Sequence, residues 1–268
     1  MNTMATRPTI SPYRHLLGAV AEAWPDLRDR LKWDVNPLSF VSRAKLRGWR
    51  DRFSGGKAVI LCNGPSLNRV DLAALDGVFT FGLNKVNLLF SRSDFRPSCV
   101  VAVNPHVIEQ NADFYNQTAL PLFLDTAAHT RIAHRENVHF VHSSHQAKFA
   151  RDCSMSVSQG ATVTFVALQL AFHMGFRRIA LVGCDHSFAV KGPANATVSA
   201  GAVDHSHFDP NYFAGGVQWQ LPDLLTSEVS YTMADQVFRQ FGGEVLNCTE
   251  GGRLEVFRRM PVIDFLSP

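Results

Sequence analysis

No two of the five cysteines (Cys62, Cys99, Cys153, Cys184, Cys248) form a C-x-x-C pair, and their number is odd. That argues against a disulfide framework or a zinc knuckle, and a reducing, cytoplasmic compartment is expected. Met1 to Ile10 has no apolar run of the kind a secretory signal needs. Neither G-x-G-x-x-G nor a Walker loop occurs, which argues against NAD and P-loop ATP sites. Internal repeats and low-complexity tracts are also missing. Only 18% of the 268 residues are charged and 46% are hydrophobic, so disordered and fibrous classes drop out.

Charge is scarce in one place above all. Cys153 to Phe176 contains no Asp, Glu, Lys or Arg, but its Ser154, Ser156, Ser158, Gln159, Thr162, Thr164, Gln169 and His173 point to a buried helix rather than a membrane span. The formal net charge of +3 is also uneven: residues 1–60 carry +6 and residues 61–268 carry −3. In the basic part, Leu16, Leu17, Val20, Ala21, Trp24, Leu27 and Leu31 predict an amphipathic helix, and a second basic helix is expected over Ser42 to Phe53. Two readings of this segment stay open. It is either a helical pair packed on the sheet with a solvated basic face, or a peripheral contact with an anionic inner-membrane surface.

From Lys57 onward short apolar runs alternate with longer mixed segments. Strands are expected at Ala58–Cys62, Val78–Gly82, Cys99–Val103, Leu120–Leu124, Val138–Val141, Ile179–Gly183 and Glu244–Leu246. Helices are expected at Pro105–Tyr115, Ala161–Met174 and Ser227–Phe241. The alternation predicts an α/β fold, a Rossmann-like, mostly parallel sheet with helices on both faces. The expected layout is a helical extension over 1–56 and a catalytic domain over 57–268. Residues 186–226 lack periodicity and read as a lid.

The segment AVILCNGPSL runs from a buried strand straight into Asn63-Gly64-Pro65-Ser66. In an open α/β sheet ligands sit beyond the carboxyl ends of strands. Gly64 would admit close approach of a ligand, Pro65 stiffens the turn, and Ser66 either caps it or donates to a ligand oxygen. FGLN and VAVN place Asn84 and Asn104 at the ends of the next two strands. Three asparagines on one edge suit a base or ribose, although each alone also reads as a turn former. Ser158, Gln159 and Gly160 stand at the mouth of the uncharged helix, where free N–H groups attract an anion. The following strand ends in Gly183-Cys184-Asp185, whose carboxylate suits a metal, a hydroxyl or a turn cap.

These motifs, CNGPSL, LN, NPHVIEQ and SQG-helix-GFRRIALVGCD, resemble the bacterial family 42 sialyltransferases. They are similar as well to the wider superfamily that includes flagellin-modifying motility accessory factors and archaeal 6-hydroxymethylpterin diphosphokinases. The resemblance covers residues 57–249. It implies a CMP-activated nonulosonic acid donor and a bacterial surface glycan or glycolipid acceptor. No obligatory metal or other cofactor is implied, and no nucleic acid partner is expected. Asn63 and Gly64 would then meet CMP, and Asn84 and Asn104 the donor sugar or nucleotide. Ser158, Gln159 and Gly160 would meet a carboxylate or phosphate, and Gly183 to Asp185 would flank the cytidine. The diphosphokinase branch implies instead ATP and Mg²⁺ held by Asp185 and lid carboxylates. A catalytically inactive nucleotide-sugar binding module is the third reading.

The family's base is a His just before the penultimate helix, yet Thr226 to Glu228 holds none, and His186, Ser187 and Phe188 follow Asp185 where a Tyr pair is expected. The lid carries DHSHFDPNYF instead, in which His205 or His207 would take a proton while Asp204 or Asp209 orients the ring. Tyr212 would hydrogen-bond the departing phosphate. The same cluster also reads as a metal site or as a solvated turn. Glu228 and Tyr231 are second-choice catalytic residues, and Asn247 is read as a rim of the donor site. His106, His129, His134, His139, His142 and His145 are read as surface or packing residues.

Overall fold

A computed structural model describes residues 12–144, 146–190 and 192–267, with the side chains of residues 12–17, 19 and 22 outside that description. Met1 to Ile10, the side chains of Leu16 and Leu17, and His145 therefore lie outside the described residues. By compactness the chain divides between Val41 and Ser42.

The first unit contains helix α1 (Pro12–Asp34) and the start of α2 (Pro37–Arg47). Val20, Trp24, Leu27 and Leu31 recur at spacings of four, three and four and are all exposed. Arg30 pairs with Asp34 one turn on, at 2.9 Å.

The second unit is built on an eight-stranded sheet of β1 (Lys57–Leu61), β2 (Phe79–Leu83), β3 (Cys99–Ala102), β4 (Leu122–Asp125), β5 (Val138–Val141), β8 (Arg178–Val182), β11 (Glu244–Asn247) and β12 (Arg258–Arg259). Two short strands, β6 (Ser143–Ser144) and β7 (Val157–Ser158), pair outside it. Every neighbouring pair in the main sheet is parallel, in the order β12-β11-β8-β1-β2-β3-β4-β5. Continuous burial from Ala58 to Leu61, Cys99 to Ala102 and Ile179 to Val182 is what a sheet covered on both faces requires. The seven expected strands are all present, displaced by two residues at most. The eighth, β12, escaped detection because it is two exposed arginines with no apolar run, laid on the edge beside Leu246 and Asn247. Asn247 is no donor-site rim. It is fully buried, and its side chain binds the Leu254 carbonyl and the Thr249 amide.

The helices needed more correction. The expected helix Pro105–Tyr115 is two, α3 (Pro105–Gln110) and α4 (Ala112–Gln117), interrupted at Asn111, whose φ of −118° leaves the helical region. The expected helix Ser42–Phe53 ends at Arg47. Beyond it Asp51, Phe53 and Gly55 donate their amides to His173, Met174 and Gly175, which caps the far end of helix α5 (Val163–His173). Part of the basic charge in this segment is used for packing. Lys45 donates to the carbonyls of Arg135, Glu136 and Val138, and Arg50 pairs with Asp152 at 3.1 Å. His139 is a packing residue that accepts from the Trp49 indole at 2.9 Å, and burial pulls its imidazole down to about 4.

The uncharged run is a core helix, as its polar residues suggested. Gln169 of α5 is wholly buried and uses both ends of its amide. Its Oε1 accepts from the Ala150 and Ser158 amides, and its Nε2 donates to the Ser158 and Phe165 carbonyls. Two separate loops are thereby fastened to one helix. Gln169→Leu keeps the volume but orphans two buried N–H groups, so it should lower the unfolding free energy by about 2–4 kcal/mol in urea titration. A loss below about 0.5 kcal/mol would contradict this role.

Candidate functional site

Strands β1 to β5 step outward in one direction, and β8 returns to the other side of β1. That reversal opens a crevice at the carboxyl ends of β1 and β8, where a cavity of about 310 Å³ is found. Its floor is Cys62, Asn63 and Gly64 after β1, Asn84 after β2, Asn104 after β3, and Gly183 to His186 after β8. The thiol of Cys62 is held well above its ordinary value by the hydrogen bond with Cys184 and by burial, so it stays protonated. Cys62 is therefore a wall residue rather than a nucleophile.

Asp185 locks the floor. Its Oδ2 accepts the Ser66 hydroxyl at 2.6 Å and the Ser66 amide at 3.1 Å. A Cβ at Gly64 would overlap that carboxylate and approach the Gly183 carbonyl to 2.7 Å. Gly64 is thus required by strand-to-strand packing more than by a ligand. Ser66 is buried in this lock and, like Pro65, does not line the cavity.

The three asparagines do meet at the wall. The side-chain oxygen of Asn63 is buried without a hydrogen-bond partner among the described residues, which fits a polar ligand, and the side chain of Asn84 faces the Tyr212 hydroxyl. Asn104 caps α3 through the His106 amide and reaches Gln220 of the lid at 3.4 Å. Helix α5 starts later than expected, capped by Thr162, so its amino end presents Ala161 to Thr164. Of Ser158, Gln159 and Gly160 only Gln159 lines the cavity. Ser158 is buried against Gln169 and Gln146. The space a side chain would need at Gly160 is filled by the Phe165 ring and the Ser230 hydroxyl.

The lid is closed over this floor. It contains a two-stranded antiparallel ribbon, β9 (Thr197–Ser199) and β10 (Gln218–Gln220), and is tied down by Phe208 N to Asn63 O at 2.9 Å and by Lys85 Nζ to Tyr212 O at 2.7 Å. The two histidines of DHSHFDPNYF part company there. His205 is exposed and off the cavity, whereas His207 lines it and donates from Nδ1 to Asp204 Oδ2 at 2.7 Å. Its Nε2 has no partner among the described residues. Tyr212 stacks flat on the imidazole at 4.1 Å, and Phe213 meets it edge-on at 5.2 Å. Burial of Asp204 opposes its ionisation. The hydrogen bond and charge of His207 and the amides of Ser206 and Phe213 outweigh that, and the carboxyl lies below its ordinary value. Burial pushes the Tyr212 phenol up, so it remains a donor, and its hydroxyl faces the side chain of Asn84.

A second dyad belongs to the same cavity. His186 lines the cavity and its Nε2 lies 2.9 Å from Oε1 of Glu228 on helix α6 (Leu224–Gln240). Glu228 itself is exposed and off the cavity wall. Sequence reasoning missed His186, although it directly follows Asp185. It also missed His106, which lines the cavity rather than serving as a surface or packing residue, and Trp219, Gln220 and Asp223 of the lid. Among the described residues no Lys or Arg lines the cavity, and no group of three His, Cys, Asp or Glu side chains is placed to hold a metal ion.

Two outcomes follow from the floor and the lid tie. Gly64→Ala should cost about 1–3 kcal/mol of stability by overpacking against Asp185, and a neutral result in thermal or urea unfolding would contradict the lock. Lys85 is held down to about 8 by burial, against partial compensation from Asp204. Between about pH 8 and 10.5 the unfolded chain therefore binds the proton that the folded chain has lost, and stability gains as pH rises through that window. Wild type should gain on Lys85→Met between pH 7.5 and 9.5 in paired unfolding curves. A constant difference would contradict the burial of that ammonium.

A search of curated proteins finds no match for the chain. Among solved structures it is similar to the MAf glycosyltransferase from Magnetospirillum magneticum AMB-1, at 16% identity and a TM-score of 0.49, over 94% of this chain and 42% of that one. The chain thus spans less than half the length of that protein. The pattern of the family described as 6-hydroxymethylpterin diphosphokinase MptE-like matches residues 38–191. That span takes in β1 through β8 and more than half of the sequence, in agreement with the motif resemblance, and the chain belongs to the MptE-like family.

Proposed function

We propose that the protein is a glycosyltransferase that moves a sugar, of the nonulosonic acid type, from a CMP-activated donor to a bacterial surface glycan or glycolipid. The observation that carries this reading is the His207–Asp204 dyad, whose imidazole lines a cavity walled by asparagines and the amino end of α5. In this reading Asp204 fixes the tautomer, and His207 Nε2 takes the proton of the acceptor hydroxyl as the sugar carbon is attacked. Asn63, Gly64, Asn84 and Asn104 read the nucleotide and sugar, Gln159 and the Val163 amide at the start of α5 meet the carboxylate or phosphate, and Tyr212 donates to the departing phosphate. A wall without Lys or Arg among the described residues suits one phosphate better than a triphosphate, which is ordinarily met by Lys, Arg and Mg²⁺ together.

Family membership favours a second reading, an ATP-dependent diphosphokinase of the 6-hydroxymethylpterin type. Its Mg²⁺ would rest chiefly on the nucleotide phosphates, because Asp185 spends one oxygen on Ser66 and Asp223 spends both on capping α6 at Thr226.

No described helix is long and apolar enough to cross a membrane, so a lipid-linked acceptor would be met at a surface. CMP and CDP should raise the melting temperature, and ATP with Mg²⁺ should not. His207→Gln should cut donor turnover by about 10²–10⁴-fold with CMP binding retained, and His205→Gln should leave it within about two-fold. Selective stabilisation by ATP with Mg²⁺, and AMP release with a pterin, would replace this reading by the second. CMP binding with no measurable transfer or donor hydrolysis would identify a binding module, and turnover indifferent to His207 would remove it as the base.

A further inference from the structure

His186 is constrained in both its backbone and its ring. Its backbone sits at φ +52°, left-handed space that side chains other than Asn, Asp and His seldom enter. Its side chain is only 7% exposed, yet its ring lines the cavity. Glu228, which fixes Nε2, is not needed to cap α6, because Asp223 does that through the Thr226 amide and hydroxyl. The other ring nitrogen, Nδ1, has no partner among the described residues.

We propose that His186, positioned by Glu228, holds the phosphate that departs from the donor. This rests on the reading of the cavity as a site for a phosphate-linked donor. Three histidines line the wall, with no Lys or Arg among the described residues, so imidazolium is the cationic side chain the wall can offer. His207 must be neutral to accept a proton, and the ring of His106 has no carboxylate partner. In His186 the Nε2–H donates to Glu228. A neutral ring then presents a lone pair at Nδ1, and a protonated ring presents a second N–H there. A phosphate oxygen is therefore bound by the protonated ring, bridging the phosphate and Glu228. The titratable groups around the ring are Glu228 and Tyr231 on α6 and Cys184 and Asp185 at the end of β8, with Asp223 and His207 facing the same cavity.

The test is calorimetric titration of the full chain with CMP and cytidine, and with AMP and adenosine, at pH 6 and 8.5. At pH 6 His186→Gln should weaken CMP about ten-fold or more and leave cytidine within about two-fold. The gap should narrow at pH 8.5. Glu228→Gln, a change at an exposed site, should reproduce a smaller loss with the same pH trend. An unchanged CMP affinity in His186→Gln at pH 6, or an equal loss of cytidine, would overturn the assignment. If the adenine pair binds in place of the cytidine pair, the CMP reading fails, and the nucleotide-minus-nucleoside difference still judges His186. If wild type binds none of the four, both fall.

Discussion

The Asp185 carboxylate ties the end of β8 to the turn after β1, and the geometry of the crevice depends on that tie. One oxygen takes both the hydroxyl and the amide of Ser66, while the glycine at position 64 lets the two strand ends close to packing distance. Once they are close, Asn63, Cys62, Cys184 and His186 share one wall. The amino end of α5 faces the same space because Gln169 pins the preceding loop to the helix. A buried amide and a half-buried carboxylate thus set the positions of groups that themselves make few protein contacts.

On this rigid floor the lid adds chemistry rather than charge. The aromatic enclosure of Tyr212, Phe213 and Trp219 holds His207 against Asp204, and Lys85 holds the Tyr212 carbonyl from below. The family match stops at residue 191, so the Asp204–His207 pair and Glu228 lie beyond it. The matched span holds β1 to β8 and the crevice at their carboxyl ends, while β11, β12 and most of the lid lie outside it.

The sheet was legible because parallel strands buried on both faces read as unbroken apolar runs, as in VVAV and IALV. The three strand-end asparagines were legible for the same reason, since they follow those runs directly. Neither β12 nor the break at Asn111 carries such a signal. Both depend on neighbours distant in sequence, Leu246 for the strand and Asn87 for the side chain of Asn111. The lid shows the limit most clearly. His205 and His207 look equivalent in sequence, and stacking with Tyr212 and the bond to Asp204 separate them. His186 and Glu228 are 42 residues apart, so the pair has no local pattern. Ser66, Ser158 and Gly160 were assigned to ligand because a polar or glycine residue at a strand or helix end suits a ligand and a packing joint equally well.

The central claim is that a nucleotide sits at the carboxyl ends of β1 and β8 beneath the lid. Amide NMR titration of the protein with CMP tests it most directly. The account predicts shifts confined to the amides near Asn63, Asn84, Asn104, Thr162 to Thr164 and Gly183 to His186, together with the lid around His207. Shifts that fall elsewhere on the sheet and spare those amides would contradict it.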